Sequence, residues 1–134
     1  MTEKQQYLFL SSSDSKHIHK NNKWYDFTVE FSDMIDFQGH WECALAEIFF
    51  DADIAENLFI YCDICDYSYV GSKLLPTLRL INHKALEFVN LFFIKVNNPE
   101  VNRIRIYLRD KNNNIPSLEV TEVNCTLVFK KYIR

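Results

Sequence analysis

The chain has 134 residues, of which 48% are hydrophobic, 15% aromatic and 25% charged, with a net charge of -3 and only 2 glycines and 3 prolines. That length suits one domain over residues 1–134, large enough to bury a core without staples, and the composition excludes a disordered chain. Gly39 and Gly71 cannot furnish the glycine-rich turns of phosphate loops, dinucleotide sites or a serine elbow, and the acidic balance speaks against a sequence-specific nucleic-acid binder.

The first segment holds an early acid, Glu3, and a short apolar run, Tyr7–Leu10, which reads as a strand and not as a signal peptide. No stretch reaches the roughly 20 apolar residues of a membrane helix. Synthesis in the cytosol is therefore expected, with Cys43, Cys62, Cys65 and Cys125 reduced and packed as small hydrophobes. Ser11–Lys23, rich in Ser, His, Lys and Asn, reads as a long surface loop. Trp24–Phe31 then alternates: Tyr25, Phe27, Val29 and Phe31 face inward and Asp26, Thr28 and Glu30 outward. In Trp41–Phe50 apolar residues fall on both faces, which suits a strand buried on both sides or a short helix around Ala44, Leu45 and Ala46. Asp51–Asn57, with Asp53 as a cap, and His83–Asn90, capped by Asn82, are the candidate helical turns.

Leu58–Ile64, Tyr67–Val70, Leu74–Ile81 and Leu91–Val96 add further short strands. Ile104–Arg109 turns Ile104, Ile106 and Leu108 inward, and Val120–Phe129 does the same with Val123, Cys125, Leu127 and Phe129. These two runs are expected to pair antiparallel across the polar loop Asp110–Pro116. Lys130, Lys131 and Arg134 read as an exposed basic tail, and Asn21-Asn22, Asn97-Asn98 and Asn112–Asn114 as replacements for glycine at left-handed turn positions. The fold class is all-β, an antiparallel β-sandwich with one or two short helical turns in its loops.

The residues that carry chemistry each have a plainer reading. Cys62-Asp-Ile-Cys65 has the spacing of a zinc half-site, but a structural zinc needs two further sulfur or imidazole ligands, and the nearest are His17 and His19 in the polar loop, His40 and His83. Two packed thiols are the preferred reading, with no metal and no cofactor. No local signature marks a Cys/His nucleophile. Glu42 with Glu47, or Asp63 with Asp66, would supply paired carboxylates, yet acids near strand ends are usually solvated. Glu47 interrupts an apolar run and calls for a partner, for which Arg103 or Arg105 would serve. Phe27, Phe31 and Phe129 fit the core better than a base-stacking platform, whereas Tyr67, Tyr69, Phe49 and Phe50 suit a subunit interface. No catalytic residue is assigned and the chain is expected not to be an enzyme.

Gly39-His40-Trp41-Glu42-Cys43-Ala44-Leu45-Ala46-Glu47-Ile48, followed by Val101–Asp110 and Val123–Phe129 and preceded by Trp24–Phe31, resembles a group of small proteins of Polinton (Maverick) elements and adintovirus-like DNA viruses. The resemblance covers about residues 5–130 and implies a jelly-roll sandwich serving as a minor capsid or penton-type virion protein. It implies a turn at Gly39, a core anchor at Trp41, packing by Leu45 and Ile48, a paired acid at Glu47, and Glu42 as part of the same phrase. The departures are Cys43 and the run Phe49-Phe50-Asp51. The implied partners are other copies, as a pentamer, and other capsid proteins, with no membrane. The implied location is the virion, after synthesis in the host cytoplasm and with assembly there or in the nucleus. The alternative is a protein-binding module, an adaptor or host-interaction domain, using loops 11–23 and 110–119 as its contact surface.

Overall fold

A computed structural model describes residues 2–82 and 88–133. Its strands are β1 (Thr2–Ser11), β2 (Asp26–Asp36), β3 (Trp41–Phe50), β4 (Leu58–Cys62), β5 (Ser68–Val70), β6 (Lys73–Leu75), β7 (Thr77–Ile81), β8 (Ile94–Lys95), β9 (Glu100–Arg109) and β10 (Val123–Ile133). Two four-stranded sheets, in the orders β1-β10-β3-β8 and β2-β9-β4-β7, pack face to face, and β5-β6 forms a separate hairpin. Every strand pairing is antiparallel, so the chain is an all-β sandwich.

Period-two alternation explains the layers. Phe27 and Val29 of β2, Ile104, Ile106 and Leu108 of β9, and Leu58 and Ile60 of β4 meet Cys43, Leu45 and Ile48 of β3 and Leu127 and Phe129 of β10 in one core. β3 is a strand along its whole length and lies between β10 and β8, with Ala44 buried as fully as its neighbours Cys43 and Leu45. A register shift opposite Thr126/Leu127 lets Leu45 and Ile48 both face inward although they are three residues apart. A bulge of this kind absorbs one residue and restores the alternation.

Several expectations need correction. β9 and β10 do not pair: β9 lies between β2 and β4, while β10 lies between β1 and β3, so the chain crosses from one sheet to the other at the 110–122 connection. Sequence adjacency favours a hairpin, but a long connection permits this crossing as easily. Asp51–Asn57 is irregular and not helical. Asp51 turns instead to Thr121, accepting from its backbone N–H at 2.9 Å and from its hydroxyl. Residues 83–87 of the His83–Asn90 candidate lie outside the described residues, and no helix occurs among those described. One helical turn does close inside the first long loop, where His19 N–H donates to Ser15 C=O at 2.7 Å.

Lys130 and Lys131 are not a tail but the closing residues of β10, with Lys130 Nζ 3.8 Å from the centre of the Phe93 ring. Of the three asparagine pairs or runs, only Asn113 takes a left-handed angle, with φ of 65°. Asn22 and Asn97 act through their side-chain amides, bonding the backbone of Thr28 and Cys65 respectively.

Candidate functional site

Tyr7, Phe9 and Phe49 make an exposed aromatic group on the outer side of the first sheet, toward its β1 edge, whereas Ala44 and Val128 nearer the sheet's centre are buried. β1 pairs with β10 on one side and, among the described residues, has no strand on the other. Alternation sends Leu10 inward and Tyr7 and Phe9 outward, where they are 51% and 75% exposed. The register carries the surface across the sheet from Phe9 to Thr126 and from Thr126 to Glu47, with Phe49 further along β3 and also exposed. Phe9, Phe49, Glu47, Asn124 and Asp14 line a shallow hollow of about 360 Å³. An aromatic rim around a few polar groups beside an open strand edge is suited to contact with another chain.

The β2 edge of the second sheet is closed by the loop 12–23. Asn22 donates to Asp14 C=O at 3.2 Å and to Thr28 C=O at 2.9 Å, and accepts from Thr28 N–H at 3.0 Å. Ser15 Oγ accepts from Glu30 N–H at 2.9 Å, and His19 Nε2 lies 2.8 Å from Glu30 Oε1. Ser12, also buried, accepts from Val123 N–H at 2.9 Å and fixes the loop's start to β10. A strand edge satisfied in this way offers little to a second chain. The importance of Asn22 was not evident from the sequence, where an asparagine in a polar loop signals only a turn.

The phrase at 39–48 spans a turn and a core strand. Gly39 has φ of 97°, an angle that favours glycine, whereas a Cβ there would meet only the flexible end of the Lys131 side chain, at 2.8 Å from Cε. Trp41 is buried, donates from Nε1 to Gln38 C=O at 3.1 Å and meets Phe37 edge to face at 5.4 Å. Leu45 and Ile48 lie in the core. Glu42 faces outward, 3.7 Å from His40 Nε2 and opposite Lys95 and Lys130.

Glu47 is on the outer face and accepts from Thr126 Oγ1 at 3.1 Å. Its expected pairing with Arg103 or Arg105 is not formed, because both arginines are on the other sheet. Arg105 makes a two-pronged pair with Asp26 at 2.9 and 2.7 Å, which raises its pKa, and Arg103 lies 4.0 Å from Glu30. Of the four aromatics expected at an interface, Tyr67, Tyr69 and Phe49 are exposed, while Phe50 is half-buried against Trp24.

The four cysteines are all buried and free. Among the described residues no histidine joins Cys62 and Cys65: His19 is engaged by Glu30, and no cluster of three or more metal-ligating side chains occurs there, while His83 lies outside the described residues. Cys65 instead meets Cys43, with the two sulfurs 3.2 Å apart. Contact with Cys65 and burial push the Cys62 thiol well above its usual range, and burial raises that of Cys125. Protonated, unexposed thiols are poor nucleophiles. No protein-family model matches this chain, and no curated protein matches its sequence.

Proposed function

We propose that the chain is a non-enzymatic structural subunit of a virion, a minor capsid or penton-type protein that assembles through its β-sandwich. The strand order carries this reading. With β1-β10-β3-β8 against β2-β9-β4-β7, every connection between the main strands crosses from sheet to sheet except β4 to β7, which is interrupted by the β5-β6 hairpin. That winding favours a jelly roll, eight strands in two Greek keys, an architecture recurring in capsid proteins and also in lectins and cupins.

Fold alone does not choose among those uses. The β1 edge, beside which no further strand lies among the described residues, and the exposed Tyr7 and Phe9 favour an assembling subunit, and so does the resemblance carried by residues 39–48. In a shell vertex the subunits form a ring, with head-to-tail contacts that each bury about 800 Å² per partner. Sedimentation and light scattering of the full chain across a concentration series test the proposal. A closed oligomer, five copies for a vertex, is expected. A monomer at every concentration, with or without the companion shell proteins of its own genome, overturns it.

A binding module is the second reading, favoured by the order within both long loops. Asp110 Oδ1 accepts from the backbone N–H groups of Asn112 and Asn114 at 2.8 and 2.9 Å, and Ile18 and Ile115 stand exposed on the two loops. Capture of one cellular protein by a monomer, abolished when either loop is replaced, selects this reading over the shell role.

A further inference from the structure

We propose that Cys43 and Cys65 are the site of a disulfide that clasps one sheet of the sandwich to the other. Cys43 is on β3 of the first sheet, and Cys65 is in the turn that leaves β4 of the second. Their sulfurs are 3.2 Å apart, about 1.2 Å longer than a disulfide bond. The turn is already fastened to the first sheet on both sides of Cys65. Asp66 N–H donates to Lys95 C=O at 2.9 Å, Asn97 N–H to Ile64 C=O at 2.8 Å, and Asn97 Nδ2 to Cys65 C=O at 3.3 Å. These bonds hold the Cys65 backbone against the sheet that carries Cys43, so closure has only the remaining sulfur–sulfur gap of about 1.2 Å to cross.

The oxidant is a peroxide. It converts one thiol to a sulfenic acid with release of water, and the second thiol displaces the sulfenic oxygen as a second water, leaving the S–S bond. Two thiols lose two hydrogens and the peroxide is reduced to two waters. Both sulfurs are fully buried, and contact with Cys43 together with burial keeps the Cys65 thiol well above its usual range. Closure is therefore slow in the resting fold and speeds up when the sandwich opens or while it folds. Cys62 also touches Cys65, so a bond within the Cys62–Cys65 turn is the competing product.

The test treats the reduced full chain with hydrogen peroxide and maps the product by peptide mass. A link between the Cys43 and Cys65 peptides is expected, with an intact mass lower by about 2 Da and the number of titratable thiols in denaturant falling from four to two. The melting temperature should rise by roughly 10 °C and return on adding dithiothreitol. Cys43→Ser should abolish both link and rise, while Cys125→Ser keeps both. Because mapping of the unaltered chain stands by itself, a variant that fails to fold does not decide the matter. A Cys62–Cys65 link, oxygen adducts on four unlinked cysteines, or stoichiometric zinc on the protein as purified overturns the proposal.

Discussion

β1 and β2 are each the outermost strand of a sheet, yet their free edges are finished in opposite ways. Along β2 the loop 12–23 is folded back so that Asn22 and Ser15 satisfy the backbone of Thr28 and Glu30. Along β1 no further strand pairs among the described residues, and the outward residues Tyr7 and Phe9 are aromatic. Natural sheets blunt their edges because an open ladder recruits other chains. A fold that spends a long loop on one edge and leaves the other apolar directs association to the side it leaves open.

The comparison breaks most readily at Asn22. Asn22→Ala removes three hydrogen bonds at a buried position, and about 2–3 kcal/mol of unfolding free energy should be lost in urea titration. Uncovering β2 should also give the chain a second sticky edge, seen as faster aggregation. A cost below about 0.5 kcal/mol would mean that the loop decorates the edge without closing it. Next in size is Arg105→Met, which removes the two-pronged partner of Asp26 at the head of β2 and leaves it, among the described residues, only Arg109 at 4.0 Å. The pair is close to half exposed, so solvent screening limits the cost to about 1 kcal/mol or less, read in the same titration. Phe9→Lys should change monomer stability by no more than about 0.5 kcal/mol, because the ring is already exposed. It should nevertheless abolish self-association, and an unaltered oligomer would place the contact elsewhere.

The sequence made the layers legible and the edges not. Alternation identified the inward residues of β2 and β9 because one face of each is dry and the other wetter, and those of β10 because Glu122 and Asn124 mark its outward side, although Thr126 and Val128 on that side are buried too. It could not give the strand order. Ile104–Leu108 and Val123–Phe129 have the same pattern whether they are neighbours in one sheet or lie in opposite sheets, as they do. The ion pair assigned to Glu47 failed for the same reason, since it required knowing which sheet holds Arg103 and Arg105. Gly39 was legible because a turn at the head of a strand has few solutions. The Cys43–Cys65 contact was not, as 22 residues and a change of sheet separate the two sulfurs.

The smallest effect is sought where the two edges share a fastening. Ser11 and Ser13, at the point where β1 gives way to the loop, donate to Glu122 Oε1 at 3.2 and 2.6 Å, and Glu122 follows the Thr121 that Asp51 holds. The Thr121 hydroxyl, then its N–H, lower the pKa of Asp51, whereas burial raises that of Asp63 against a hydrogen bond from Arg105 N–H. The two carboxylates therefore act with opposite sign. Asp51, depressed in the fold, stabilises above its unfolded pKa, and that contribution is lost as pH falls through its folded value. Asp63, raised in the fold, contributes below its unfolded pKa and loses that contribution as pH rises through its folded value. Urea stability measured from about pH 6 down to about pH 2 should thus fall less steeply in Asp51→Asn than in the unaltered chain and more steeply in Asp63→Asn. Parallel curves for all three would show that neither carboxylate changes its pKa on folding, and that the Asp51 to Thr121 contact does not fasten the 110–122 crossing.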